Sequence, residues 1–267
     1  MNISTLNRLA TTVAISAALT AISFAAHAQL QPQFSYLWEA EANQDKQDEK
    51  DSSKDEKDNK KAHQQQQRLS KQQQQERIRQ QQENLALYRK NIELRQAVAK
   101  QNAQLLQQQK RLAHYRFQQA YYERLRQQQA QLPDDRYDFN NDPFYYTAPN
   151  YRYRRDGRNY ETNQYGADIL RQAANTGYQE GLQAGRADKQ DKWRFDYKQS
   201  FAYEDANYGY DGRYVRQDDY NHYFREGFQR GYEDGYYDRR QYGATTNGSD
   251  SLLGTALNAI LSLESLQ

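Results

Sequence analysis

Cysteine is absent from this 267-residue chain, and methionine occurs once. A disulfide framework, a thiolate metal site and a lipid attached through a lipobox cysteine are therefore excluded. Aliphatic side chains are also scarce. Hydrophobic residues make up 36% of the chain, against roughly 45–50% in ordinary soluble domains, and the mean hydropathy is -1.28. A large aliphatic core is ruled out. Charge of one sign is not in excess either: Lys+Arg 37 against Asp+Glu 35 leaves +2, too little to draw the whole molecule to nucleic acid or anionic lipid. Signatures of catalysis are missing as well. There is no H-E-x-x-H, no G-x-S-x-G elbow and no P-loop, and His63, His114 and His222 stand apart from one another. Asp205, Asn207 and Asp211 lie near Gly212 in a faint likeness of a calcium loop, but the glycine is misplaced and the closing Glu is lacking. No catalytic, cofactor-binding or metal-ligating residue is assigned, and a non-enzymatic protein is expected.

What the chain does contain begins with an address. Residues 1–28 hold one positive charge, Arg8, an apolar run from Leu9 to Ala26, and the triplet Ala26-His27-Ala28. This is the pattern of a Sec signal peptide cut after Ala28, which predicts a periplasmic or secreted protein. No later apolar stretch reaches the ~18 residues that a membrane span needs.

Glycine placement divides the rest. All 13 Gly stand at or after Gly157. Residues 29–60 form a charged spacer; seven acids and six lysines alternate from about Gln44 to Lys61, at its boundary with the next zone, and such a segment buries too little surface to offset its chain entropy. A short aromatic patch, Phe34, Tyr36, Leu37 and Trp38, precedes those charges. Residues 61–132 contain no Pro or Gly, and 23 of these 72 residues are Gln. Their helix propensity predicts one long helix. Leu85, Ile92, Ala99, Leu106, Ala113 and Ala120 recur every seven residues, with Val98, Leu105 and Leu112 one position earlier. That is a thin heptad seam, because Asn102, Gln109 and Arg116 occupy the second apolar position, and it predicts a weak coiled coil or a helix on a partner. Residues 133–165 read as a linker, opened by Pro133 and punctuated by Pro143 and Pro149. Within it, Tyr151 to Tyr160 interleaves arginines with tyrosines, a composition able to grip phosphates; the acidic sequence that follows cancels it, so nucleic acid is not expected as a partner.

The clearest signal is a duplication. Gly177, Gly181 and Gly185 recur 50 residues later as Gly227, Gly231 and Gly235. Most are followed by a large apolar or aromatic residue. Positions four apart share one helix face, so the glycines form a groove beside a ridge that includes Tyr178 in the first copy and Phe224, Phe228, Tyr232 and Tyr236 in the second. Each Gly costs about 1 kcal/mol of helix propensity, which close approach of a neighbour must offset. Two soluble helices, about 167–189 and 218–241, are expected to pack with rings laid over glycines. The charges on these segments exclude a lipid-buried pair. Aromatic residues from Trp193 to Tyr214 would complete a small core, or else present a glycan-binding face.

The region from about Ala167 to Gly243 resembles an uncharacterised set of secreted bacterial proteins with paired Gly-aromatic-x-x-Gly repeats and intervening tyrosines. The resemblance implies one folded module over 166–243 and carries no activity and no site residues. After it, residues 244–267 form a spacer and an apolar helix over 251–266, expected to dock on the module or a partner helix, with peripheral membrane contact as the rival. The expected architecture is all-α. A spacer helix that self-associates or meets another envelope protein, presenting a contact module, is the leading functional reading; a glycan or peptidoglycan binder and a holdase-like chaperone are the alternatives.

Overall fold

Ser70 opens the first helix with a reciprocal cap. Its hydroxyl accepts from the Gln73 amide at 3.3 Å, and the Gln73 side-chain oxygen accepts from the Ser70 amide at 3.0 Å. From there α1 runs over Lys71–Gln108. The computed structural model describes residues 68–132, 137–246 and 248–266, all in one compact unit. The expected signal peptide, the charged spacer, the aromatic patch at 34–38 and the start of the Gln-rich segment lie outside the described residues.

The single long helix expected over 61–132 is two helices. After α1 the chain breaks at Gln109–Arg111, and α2 (Leu112–Gln129) folds back, with Gln118 donating to the Ala99 carbonyl at 2.8 Å. Neither Pro nor Gly marks the break. Lys110 takes a φ of 59°, while Lys110 and Arg111 amides donate to the carbonyls of Gln107 (3.0 Å) and Leu106 (2.9 Å) in a Schellman-type closure. A non-glycine residue in this region costs about 1–2 kcal/mol. Contacts beyond the helix offset it: buried Arg111 pairs with Asp188 at 2.5 Å, and Asp191 accepts the Ala113 and His114 amides at 2.9 and 2.8 Å, capping α2.

The heptad seam is also occupied within the chain. Leu85, Ala99, Leu106 and Ala113 are buried, whereas Ala120, Val98, Leu105 and Leu112 are exposed. Leu85 lies against Gly212, and the next turn places the Tyr88 ring edge-on to Tyr210 at 5.2 Å. The Gln-rich hairpin is thus one wall of the core rather than a free-standing spacer.

The segment expected as a linker is folded too. It forms α3 (Pro143–Tyr146) and the antiparallel hairpin β1 (Tyr151–Arg155) and β2 (Arg158–Thr162), turned by Asp156 and Gly157 at φ 50° and 77°. Phe139, Phe144 and Tyr145 gather a second, smaller cluster of buried rings. Two long helices follow, α4 (Gln164–Gln190) and, after α5 (Phe201–Asp205), α6 (Gln217–Tyr237). α6 stops short of the expected 241 because Asp238 turns left-handed at φ 55°. The C-terminus forms the hairpin β3 (Gly243–Thr246) and β4 (Ser249–Leu252), then α7 (Gly254–Leu261), then β5 (Glu264–Ser265), which pairs with β1. The helix expected over 251–266 is therefore shorter, and Ile260 and Leu261 are buried in this protein's own core.

The fold is mostly helical, at 64% of the described residues, with small antiparallel sheets ordered β2-β1-β5 and β3-β4. The all-α expectation missed these sheets because their strands are two to five residues long and carry little period-two patterning. Among the described residues, no helix is long and apolar enough to cross a membrane.

Candidate functional site

The six repeated glycines meet along one line between α4 and α6. A Cβ on Gly177, Gly181 or Gly185 would fall on the carbonyl oxygen of Phe224, Phe228 or Tyr232. Conversely, a Cβ on Gly227, Gly231 or Gly235 would fall on the carbonyl of Ala174, Tyr178 or Leu182. The pairings ascend together, so the two helices are parallel. Exchanging each residue for its counterpart 50 positions away converts the first set into the second, which makes the pair an internal pseudo-twofold. A parallel pair needs a crossover, and residues 191–216 supply it.

One expectation is corrected here. The glycines face backbone carbonyls, not rings, because a bare Cα–H lets two helix backbones meet directly. Each glycine Cα–H is aimed at a carbonyl oxygen, a weak hydrogen bond of about 0.5–1 kcal/mol. Six such contacts give roughly 3–6 kcal/mol, against a propensity cost of about 5–6 kcal/mol for six glycines, so the repeat nearly balances itself. The ridge rings lie alongside. Phe224, Phe228, Tyr232 and Tyr236 stack successively at 6.2, 6.3 and 6.1 Å, with interplanar angles of 24°, 25° and 13°. Tyr178, Phe224, Phe228 and Tyr232 are wholly buried, and Tyr236 is half-buried. Of the aromatics expected to complete the core, Phe201 and Tyr210 are buried, but Phe195 remains exposed.

Buried carboxylates tie the other elements to this pair. Tyr232 of α6 donates to Asp188 of α4 at 2.5 Å, and Tyr178 of α4 donates to Asp234 of α6 at 3.0 Å. Asp234 also accepts the amides of Gln241 and Tyr242, both at 2.9 Å, fixing the exit from α6. Asp205 accepts from Tyr121 at 2.9 Å and pairs with Arg95 at 3.0 Å, so one carboxylate joins α1, α2 and α5. Arg155 of β1 and Arg216 hold Asp219 at 2.6 and 2.9 Å. Glu180 accepts from Arg124 of α2 at 2.7 Å; burial raises its pKa, and the Arg124 charge offsets only part of that. Asp188 behaves oppositely. Burial works against its charge, but hydrogen bonds from His114, Arg111 and Tyr232 outweigh burial and hold the carboxyl below its usual range.

The His114–Asp188 pair, 2.8 Å apart, has the form of a general-base dyad. Yet His114 is wholly buried, and the Arg111 guanidinium that shares Asp188 stacks on Trp193 at 4.6 Å. Through Asp188 the pair links α2 to α4, and the Tyr232 hydroxyl on the same carboxylate links both to α6. Sequence reasoning could not find it, since positions 114 and 188 share no local pattern. The faint calcium loop dissolves in the same way: Asp205 is consumed as above, and Asp211 is bound by its neighbour Arg213. No group of residues suited to a metal occurs among the described residues.

Two surface depressions border α5, one polar and one apolar. A polar cleft of about 400 Å³ lies between the β1–β2 turn and α6, lined by Arg155, Asp156, Tyr203, Asp218, His222 and Arg225. Arg225 is already engaged by the carbonyls of Tyr203 and Glu204 at 2.9 and 2.7 Å. An apolar groove of about 290 Å³ runs between α1 and α5, lined by Asn91, Leu94, Val98 and Phe201 among others. Beside it, α1 exposes Leu87, Leu94, Val98 and Leu105. Comparison with protein-family models, with curated proteins and with solved structures finds no match for this chain.

Proposed function

We propose that this is a non-enzymatic interaction protein of the bacterial envelope, in which a glycine-packed helix pair serves as the rigid frame for an exposed helical face. The observation that carries this reading is the fate of the side chains that ordinarily do chemistry. Asp188, Asp205, Asp219, Asp234 and Glu180 are buried, and each is engaged by an Arg, a Tyr or backbone amides that bind one element to another. Tyr88, Tyr121, Tyr145, Tyr178, Tyr210, Tyr220, Tyr223 and Tyr232 are fully buried, which favours a core over a sugar platform. What is offered to a partner is the aliphatic face of α1. The periplasmic or secreted destination rests on the signal-peptide pattern of residues 1–28.

One place favours the glycan alternative. Phe195 and Tyr237, 36% and 53% exposed, stack at 5.6 Å and 19° beside the end of α6. The two readings separate in cells carrying photo-crosslinking residues at Leu94 and, separately, at Tyr237. Recurrent protein adducts from position 94 are expected. Adducts confined to position 237 and to glycan, together with sedimentation of the purified protein with cell wall, would overturn the proposal in favour of the second reading.

A further inference from the structure

The buried seam of α1 and its exposed stripe are two different heptad registers. Leu85, Ala99 and Leu106 look inward. On the adjacent face, Leu87, Asn91, Leu94, Val98, Gln101 and Leu105 alternate at spacings of four, three, four, three and four. Assigned as a and d positions, the a set is Asn91, Val98 and Leu105, and the d set is Leu87, Leu94 and Gln101. The four aliphatics are 59%, 69%, 42% and 44% exposed at positions 87, 94, 98 and 105. Scattered exposed aliphatics are ordinary, but four on one heptad line, in a chain with so few, require a cover.

We propose that this stripe is the seam of a parallel, in-register, two-stranded coiled coil with a second copy of the same chain. This deepens the interaction-protein reading above and rests on it. The residue types select the arrangement. A β-branched Val at a with Leu at d favours two strands, and a single Asn at an a position fixes both register and parallel orientation, because only then do two Asn91 amides meet and satisfy each other. The size is adequate for a weak dimer. Residues 87–105 span about 27 Å of helix, and covering the aliphatics of both copies with their Gln and Asn flanks buries on the order of 1,000 Å², the lower end for a specific interface.

Charge agrees with this pairing. The seam itself is uncharged. In the parallel register, Lys90 at a g position faces the partner copy's e position 95. There Arg95 is already neutralised by Asp205 at 3.0 Å, and the exposed Glu204 lines the same groove. The cations of this wall, Arg95 and Arg225, are balanced by Asp205 and Glu204, so no net like charge opposes the approach of Lys90. The groove between α1 and α5, floored by Phe201, gives the partner's side chains depth on that flank.

The absence of cysteine makes the test clean. In the full mature chain, Leu87→Cys and Leu105→Cys are made separately, with exposed Lys100→Cys as the off-seam control, and mildly oxidised. Self-linked dimers from positions 87 and 105, but not from 100, are expected. Linking only when the 87 and 105 variants are mixed indicates antiparallel helices and overturns the proposal, as does no linking at all. Sedimentation equilibrium then compares the wild type with Leu94→Gln/Val98→Gln. The double variant should raise the dimer dissociation constant by about 100-fold or more, with a melt in dilute solution that changes little, since Leu94 and Val98 are 69% and 42% exposed in the single copy. Equal association of variant and wild type would refute the seam. A monomeric protein that still captures another envelope protein from position 94 removes the dimer and leaves the interaction reading standing.

Discussion

Replacing Gly181 with Ala sets two rules of protein chemistry against each other. In an isolated helix the change is favourable by about 1 kcal/mol, because alanine is the better helix former. In this fold the new methyl would fall on the Phe228 carbonyl oxygen, with the Phe228 carbonyl carbon and the Tyr232 nitrogen both 2.8 Å away. Those atoms are backbone, so no rotamer can yield, and the helices must move apart along a line that five other glycines share. Overpacking of this kind costs about 1–3 kcal/mol or more, and separation weakens the neighbouring Cα–H contacts as well. A net destabilisation of about 2–4 kcal/mol follows, which in a folded unit of this size lowers Tm by roughly 5–15 °C. The pseudo-twofold requires Gly231→Ala to behave alike, because its methyl would meet the Tyr178 carbonyl carbon at 2.8 Å and Leu182 nitrogen at 2.9 Å. Gly254→Ala is the control: nothing lies within 4 Å of its missing Cβ at the start of α7, so it should be neutral or slightly stabilising. Urea unfolding followed by far-UV circular dichroism reads all three. A Gly181→Ala protein as stable as the wild type would refute the backbone-contact model of the helix pair.

Two further outcomes are expected. Lys110→Gly should stabilise the protein by about 1 kcal/mol, because it relieves a left-handed residue; a continuous helix through position 110 would instead lose about 1 kcal/mol, so the sign of the shift in urea midpoint decides. Alkali should unfold the protein cooperatively: burial raises the pKa of Tyr88, Tyr121, Tyr153, Tyr210, Tyr220 and Tyr232 above the ordinary value. Stability conferred by a raised pKa is complete below the unfolded value near 10 and falls as pH rises past it, by about 1.4 kcal/mol per pH unit for each group. Six groups exhaust a typical stability within one to two units, so phenolate absorbance and loss of helix should rise together at about pH 11–12, and a broad titration with helix retained would contradict the buried-tyrosine core.

The helix pair was legible because a glycine at every fourth position reports a local fact. It says that one face of one helix has no side chains, and a second copy 50 residues later says what meets it. The choice between rings and backbone as the occupant was not legible, since both satisfy the same spacing. Within the Gln-rich segment the pattern misled for a related reason. Two heptad registers one position apart, Leu85 to Leu106 and Val98 with Leu105, were read as a single thin seam, although one is the wall of the core and the other looks outward.

What pattern could not reach is the set of ties made between distant segments. The break at Lys110 has no local cause: its neighbours are good helix formers, and Arg111 is drawn inward by Asp188, 77 residues away in sequence. The same carboxylate accepts from Tyr232, a further 44 residues on. A buried carboxylate leaves no periodic trace, because its burial depends on which cation and which hydroxyl arrive, not on its neighbours in the chain. In a protein short of aliphatics these ties take over from methyl packing the task of deciding which helix lies on which. They also leave four aliphatics of α1, Leu87, Leu94, Val98 and Leu105, exposed, which is the face that the proposed second copy would cover.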